Sequence, residues 1–331
     1  MLFSPKNPKE KANPIIIGYF ASILAGLFFG VIPVLSAFLR EAGASSFEQV
    51  ILRLIFGGFF GIITIFKSFK QDYFRITLKM NLQLIYLLQG FIFSLAIMFY
   101  LTSISLRTPI GQASLLVQIH PFITLTIGGL FLKEKITQKH LIGVILAFLG
   151  LTLLTRPWDW SQFFDYILGN VLACFNGITY AIYLILGSQS APHRQQIPSI
   201  LSLSWVMFWG FLTILPLILL ISLLPFPREI TAITPSIFIP EIILLGLLLT
   251  IFGSIIPYFT IMFTNTFNIE SSKQSILLLG EPLSAIILSF LFLGEEITIW
   301  YVLGGIFLLG AIINVSLAKK ASSKNMYSSD S

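Results

Sequence analysis

Apolar residues in this chain come in long, almost unbroken blocks rather than in the alternation of a half-buried strand or the one-sided stripe of a soluble helix. A helix needs about 20 mostly apolar residues to cross hydrocarbon. Ten blocks meet or approach that length, at residues 15–39, 47–66, 82–105, 109–132, 139–155, 167–187, 198–223, 238–262, 270–293 and 299–318. The fifth is short, and only the turn around Leu106 to Thr108 divides the third from the fourth. Pro109 suits the first turn of the fourth, where a missing N–H leaves no bond unmade. The pattern predicts an all-α integral membrane protein of ten transmembrane helices.

Composition strengthens this reading and assigns the charge a role. Of 331 residues, 56% are hydrophobic and 10% charged, whereas a soluble domain carries roughly a quarter charged residues. The apolar blocks leave no room for a sizeable soluble domain, so function is expected inside the bilayer. The net charge of +6 belongs to short polar breaks and tails, which reads as a topology signal and not as a nucleic-acid surface. With the N-terminus cytoplasmic, fifteen Lys and Arg residues fall on the cytoplasmic side and five, Arg40, Arg53, Arg107, Arg156 and Arg228, on the other. Both termini are therefore expected in the cytoplasm, with the plasma (inner) membrane as the location. The first block follows a 14-residue polar leader and is longer than a signal-peptide core, so it is expected to be a retained helix. Cys174 is the sole cysteine, which excludes an intramolecular disulfide and argues against a cysteine metal site.

The chain also repeats itself. Residues 120–137 read HPFITLTIGGLFLKEKIT and residues 281–298 read EPLSAIILSFLFLGEEIT. Without a gap, seven of eighteen positions agree, among them Pro121 with Pro282, Glu134 with Glu295 and Thr137 with Thr298. The register extends to Ser114 with Ser275 and Gly143 with Gly304, and Gly18 and Gly26 are echoed by Gly169 and Gly177. Two five-helix repeats account for this: 15–155 and 156–318, between tails 1–14 and 319–331. Because five is odd, the second repeat enters the membrane from the opposite face. Inverted repeats of this kind recur in secondary transporters, where two opposed halves open alternately around a central site.

A proline halfway along a helix, then LFL-x-E-x-I-T, then a last helix with glycine near its start resembles the end of the EamA domain. Two such domains make up the ten-helix members of the drug/metabolite transporter superfamily, and the resemblance runs from about Gly18 to Val315. It implies an inverted-repeat transporter, in a family whose members move amino acids, other small metabolites, nucleotide sugars or drugs. Two departures stand out. His120 occupies the place of Glu281, and the connection and helix around Ala191 to Trp209 are longer in the second half.

Pro282 lies about 18 Å into its helix at 1.5 Å per residue, near the midplane, and Pro121 falls at a similar depth. Each proline is expected to kink its helix and to leave the carbonyl four residues earlier, of Leu278 or Val117, without a partner. Gln274, Glu281 and Ala285 share one helix face, and Ala113, His120 and Thr124 share the corresponding one. An ionisable group inside a membrane is a functional candidate. Glu281 and His120 are therefore read as lining a central cavity, where they bind the polar part of a solute or carry a proton. The competing reading has Glu281 bonded to a freed carbonyl and His120 satisfied by a neighbouring helix. Gln118, Gln112, Asn176, Tyr180, Tyr258 and Trp209 are weaker candidates, since amides and aromatics also serve helix packing. Glu134 and Glu295 are read as turn residues with a gating role left open, and Thr137 and Thr298 as caps of the helices that follow.

Other classes find little support. His120, His140 and His193 are scattered and no HExxH occurs. GSQS at 187–190 is not a nucleophile elbow, and GxxxxGK[ST] is absent. No catalytic residue, metal site or cofactor is assigned. The expected partners are a small-molecule solute and the lipid bilayer, not nucleic acid; protons and a homodimer stay open. The reading is a secondary transporter, an exporter by family resemblance, with a channel as the alternative.

Overall fold

The computed structural model describes residues 14–108, 110–130, 134, 136–155, 164–191, 196–223, 228–267, 269–294 and 296–317. Pro109, Glu295 and His193, the side chain of Gln112 and most of both tails lie outside them. Every regular element among the described residues is helical. In chain order the spans are α1 (Ile15–Glu41), α2 (Ser46–Ser68), α3 (Met80–Ser105), α4 (Ile110–Val117 with His120–Leu130), α5 (Gln138–Thr155), α6 (Ile167–Ser190), α7 (Ser199–Ser222), α8 (Pro240–Asn265), α9 (Ser271–Leu293) and α10 (Ile299–Ser316). Eight are long and apolar enough to cross a membrane; α4 and α5 are the shorter ones. Short helices Asp72–Thr77 and Arg228–Thr231 and a 3-10 turn at Pro235–Phe238 cover connections.

Proline chemistry shapes the irregular spans. A proline deprives the carbonyl four residues earlier of its helical bond, and its ring crowds that carbonyl. Pro33 accordingly follows a bend at Gly30 in α1, and Pro257 follows a π-turn at Ile251–Ile255 in α8. In α4 and α9 the effect exceeds the expected kink: both helices stop and restart, at Gln118–Ile119 and at Leu278–Leu279. The freed carbonyl of Leu278 is not left bare as expected. The N–H of Glu281 donates to it at 3.1 Å, because the restarting helix tightens into a three-residue turn.

Close contacts through small residues hold the bundle, since lipid tails remove the hydrophobic drive that water would supply. Gly18 meets Ile269, and Gly26 meets the Leu278 backbone, so α1 runs alongside α9. Gly169 meets Thr108, and Gly177 meets Val117, so α6 runs alongside α4. Ile269 and Thr108, like Leu278 and Val117, are separated by the same interval as Pro282 and Pro121, so each contact has its equivalent in the other half.

The sense of the halves follows from residue pairing. Tyr86, Gly90 and Ser94 of α3 meet Ser202, Val206 and Gly210 of α7 in the same order, hence parallel. Gly58 and Gly61 of α2 meet Phe211 and Ser204 of α7 in reverse order, whereas Leu52 and Gly57 meet Gly246 and Thr250 of α8 in the same order. The third helices of the two halves, α3 and α8, therefore run oppositely, and the repeats are inverted. One apolar core spans Phe29, Leu101, Met207 and Tyr258; a smaller one surrounds Leu151, Ile276 and Leu308. Phe20, Phe59, Leu291 and Phe292 lie on the outer, lipid-facing surface.

Candidate functional site

The breaks in α4 and α9 and the π-turn of α8 surround a central cavity of about 30 Å³, room for about one water molecule. Phe29, Ile32, Arg53, Ile97, Tyr100, Val117, Asn176, Tyr180, Tyr258 and Glu281 line it. Glu281 arrives on the first turn of the second piece of α9, where the positive end of the helix dipole favours a carboxylate. Asn176 and Tyr180 come from one face of α6, and the Asn176 amide donates to the Ala96 carbonyl at 2.6 Å, fixing α6 on α3. Tyr258, just after Pro257, packs edge-on to Phe29 and Phe93 with ring centres 5.1 and 4.5 Å apart.

His120 does not line this cavity but stands behind Tyr180, its ring edge-on at 4.8 Å. Its Nε2 donates to Gln118 Oε1 at 3.0 Å, so the Gln118–Ile119 break holds the imidazole in one tautomer. His120 Nδ1 and the Tyr180 hydroxyl are buried without hydrogen-bond partners among the described residues. Gln118 neighbours the Glu281 carboxyl and relates the two candidate groups. Gln274 turns elsewhere, its Nε2 donating to the Ile261 carbonyl at 3.4 Å. Trp209 is remote, donating from Nε1 to Gln83 Oε1 at 2.8 Å.

The turn residues behave differently from one another. Glu134 closes the start of α9: Oε1 accepts from the Ser271 N–H and hydroxyl at 3.1 and 2.8 Å, and Oε2 from those of Ser272 at 3.3 and 2.6 Å. Thr298 occupies the cap position of α10, yet among the described residues its hydroxyl has no partner to cap. Thr137 likewise engages the next helix through His140, whose Nδ1 takes the Thr137 N–H at 3.0 Å.

Arg53 is the site residue that the charge tally misjudged. It was counted with the charges of the non-cytoplasmic side although it falls inside the second apolar block, and it is 3% exposed and eighth in the 23-residue α2. Its Nε donates to Ser254 Oγ at 2.7 Å and its Nη2 to the Gly253 carbonyl. That carbonyl is the one Pro257 cannot engage, so the guanidinium occupies the vacancy the proline creates. An available signal was the helix start at Ser45-x-x-Glu48. Ser45 and Glu48 form a capping box, which puts Arg53 two turns inside the helix.

Among the described residues, helical segments in two inverted halves, with broken helices and buried charge at the centre, make up a membrane transporter architecture. The EamA-like transporter family matches twice, over residues 16–156 and 167–317. The chain belongs to that family. It is 26% identical to an uncharacterized transporter of Bacillus subtilis over 92% of this chain and 91% of that protein. It is 27% identical to a Salmonella typhimurium protein named a probable amino-acid metabolite efflux pump, over 66% of this chain and 71% of the other. A solved structure shares the fold with a TM-score of 0.62 at 15% identity, covering 92% of this chain and 97% of that one.

Proposed function

We propose that the chain is a secondary transporter exporting an amino acid or a similarly polar or amphipathic small metabolite by alternating access. The supporting observation is the central cavity, which Glu281 and Asn176 share with Tyr180 and Tyr258 beside two broken helices. Broken helices at midplane can coordinate a solute with backbone groups and rearrange around it. In this reading Glu281 binds the solute's polar part or carries a proton. His120, Gln118 and Gln274 support it from the surrounding layer, and Glu134 holds one end shut. Export and amino-acid cargo rest on family likeness and on the name of the Salmonella relative. Both termini face the cytoplasm: without Arg53, the charge tally is fifteen against four.

Purified protein in liposomes, offered radiolabelled amino acids and metabolites with and without a pH gradient, tests the proposal. Saturable transport is expected, with Glu281→Gln losing its proton dependence. Full transport and unchanged proton dependence in both Glu281→Gln and His120→Ala would remove these residues from the mechanism. Flux that rises linearly with solute would indicate a channel.

A further inference from the structure

Arg53 and Glu281 line the same cavity, yet among the described residues no ion pair joins the guanidinium to any carboxylate. Arginine stays charged inside proteins. A buried cation without a counter-charge is costly, above all within a membrane, and such residues mark binding sites and pathways. Its Nε and Nη2 are held by Ser254 and Gly253, which fixes the plane of the guanidinium, while Nη1 has no hydrogen-bond partner among the described residues. The geometry is therefore that of an anchored cation with one donor edge free. Tyr258 and Tyr180 line the same cavity and both pack on Phe29, with centres 5.1 and 5.7 Å away.

We infer that Arg53 is a specificity-determining residue that takes the carboxylate of the solute, while Glu281 across the cavity takes its cationic group. The site then selects zwitterions of overall neutral charge, their dipole opposed to its own. This rests on the transporter reading above and adds a rule: both charges are required. A guanidinium recognises a carboxylate through paired N–H donors. A solute with only one charge leaves the other buried residue unmatched, and truncating one side of a buried charge pair is strongly unfavourable. Arg53 comes from α2 of the first half and Glu281 from α9 of the second, so a zwitterion bridges the halves that alternating access must move.

The test is counterflow into liposomes holding the purified full chain, with two probe sets. One is leucine, leucinamide and 4-methylpentanoate; the other is phenylalanine, phenylalaninamide and 3-phenylpropionate. The wild-type protein should exchange at least one of the amino acids, and its amide and deaminated analogue at least about tenfold more slowly. Arg53→Gln should slow the amino acid by at least about tenfold and leave the amide no slower than in wild type. Glu281→Gln should shift the preference toward the deaminated acid. Loss of a purely structural contact would slow all probes alike and would not reorder them. Equal wild-type exchange of amide and amino acid, a reading that needs no variant to fold, would overturn the inference and leave the transporter reading intact. Undiminished amino-acid exchange by Arg53→Gln would do the same. Movement of no probe would overturn both.

Discussion

Gly26 offers a stringent test of the architecture. A methyl group there would stand 2.6 Å from the Leu278 carbonyl oxygen and 3.0 and 3.1 Å from its carbonyl carbon and Cα. These are backbone atoms in the break of α9, where the Leu278 carbonyl already accepts from the Glu281 N–H. No side chain can swing aside, so α1 and α9 must separate. Inserting a methyl into such a contact costs about 1–3 kcal/mol, which offsets any gain of up to about 1 kcal/mol from alanine's better helix propensity. A cost of about 2 kcal/mol less that gain leaves about 1–2 kcal/mol; at roughly 2 °C per kcal/mol for a chain of this size, Gly26→Ala should melt roughly 2–4 °C lower. The inverted repeat adds a second expectation. At Gly177 the methyl would stand 2.6 Å from the Val117 carbonyl oxygen, so Gly177→Ala should produce a similar loss. Gly310→Ala is the control, because its methyl would meet only Leu146 Cδ1 at 3.8 Å. The assay is thermal unfolding of detergent-purified protein followed by size-exclusion chromatography, with transport measured on the surviving variants. If Gly26→Ala and Gly177→Ala melted with the control, the proposed contact between the first helix of each half and the broken helix of the other would be wrong.

Glu134→Ala removes the acceptor of four donors on Ser271 and Ser272; a loss of about 1–2 kcal/mol is expected by thermal unfolding, and unchanged stability would show the cap to be idle. Glu48→Ala should cost a similar amount, because the Glu48 carboxylate takes the N–H groups of Ser45 and Thr234, each at 2.7 Å. Trp209→Phe keeps the ring but loses the bond to Gln83, so a loss of about 1 kcal/mol with unchanged solute preference is expected; an altered preference would return Trp209 to the site. In a Cys174→Ser background, Glu41→Cys and Lys79→Cys should label from opposite faces, with Lys79→Cys on the cytoplasmic one, and labelling from one face would break the proposed orientation.

Much of the architecture was legible in the order of residues because the membrane imposes length. A span must be apolar for about 20 residues, and every backbone bond must close within it. The block pattern thus determined an all-helical membrane chain, and the recurrence of Pro121 as Pro282 determined two related halves. The helix breaks were visible only in part. Proline announces that a bond is missing, but whether a helix kinks, as at Pro33, or stops, as before Pro282, depends on what packs against it. Gly26 brings α1 onto the α9 break, and Gly177 brings α6 onto its equivalent.

The site was less legible. Glu281 announced itself as a charge in an apolar run, and Asn176, Tyr180 and Tyr258 converge on its cavity as helix spacing allowed. His120 carried the same signal but sits one layer behind, at Tyr180. Arg53 was counted as a topology charge because a tally of sides does not register depth. Its role became visible when α2 was packed on α8, placing the guanidinium at the carbonyl that Pro257 leaves open. Sequence periodicity determines which face of a helix a residue occupies. Only tertiary packing decides which distant backbone group completes it, because that partner lies about 200 residues away along the chain.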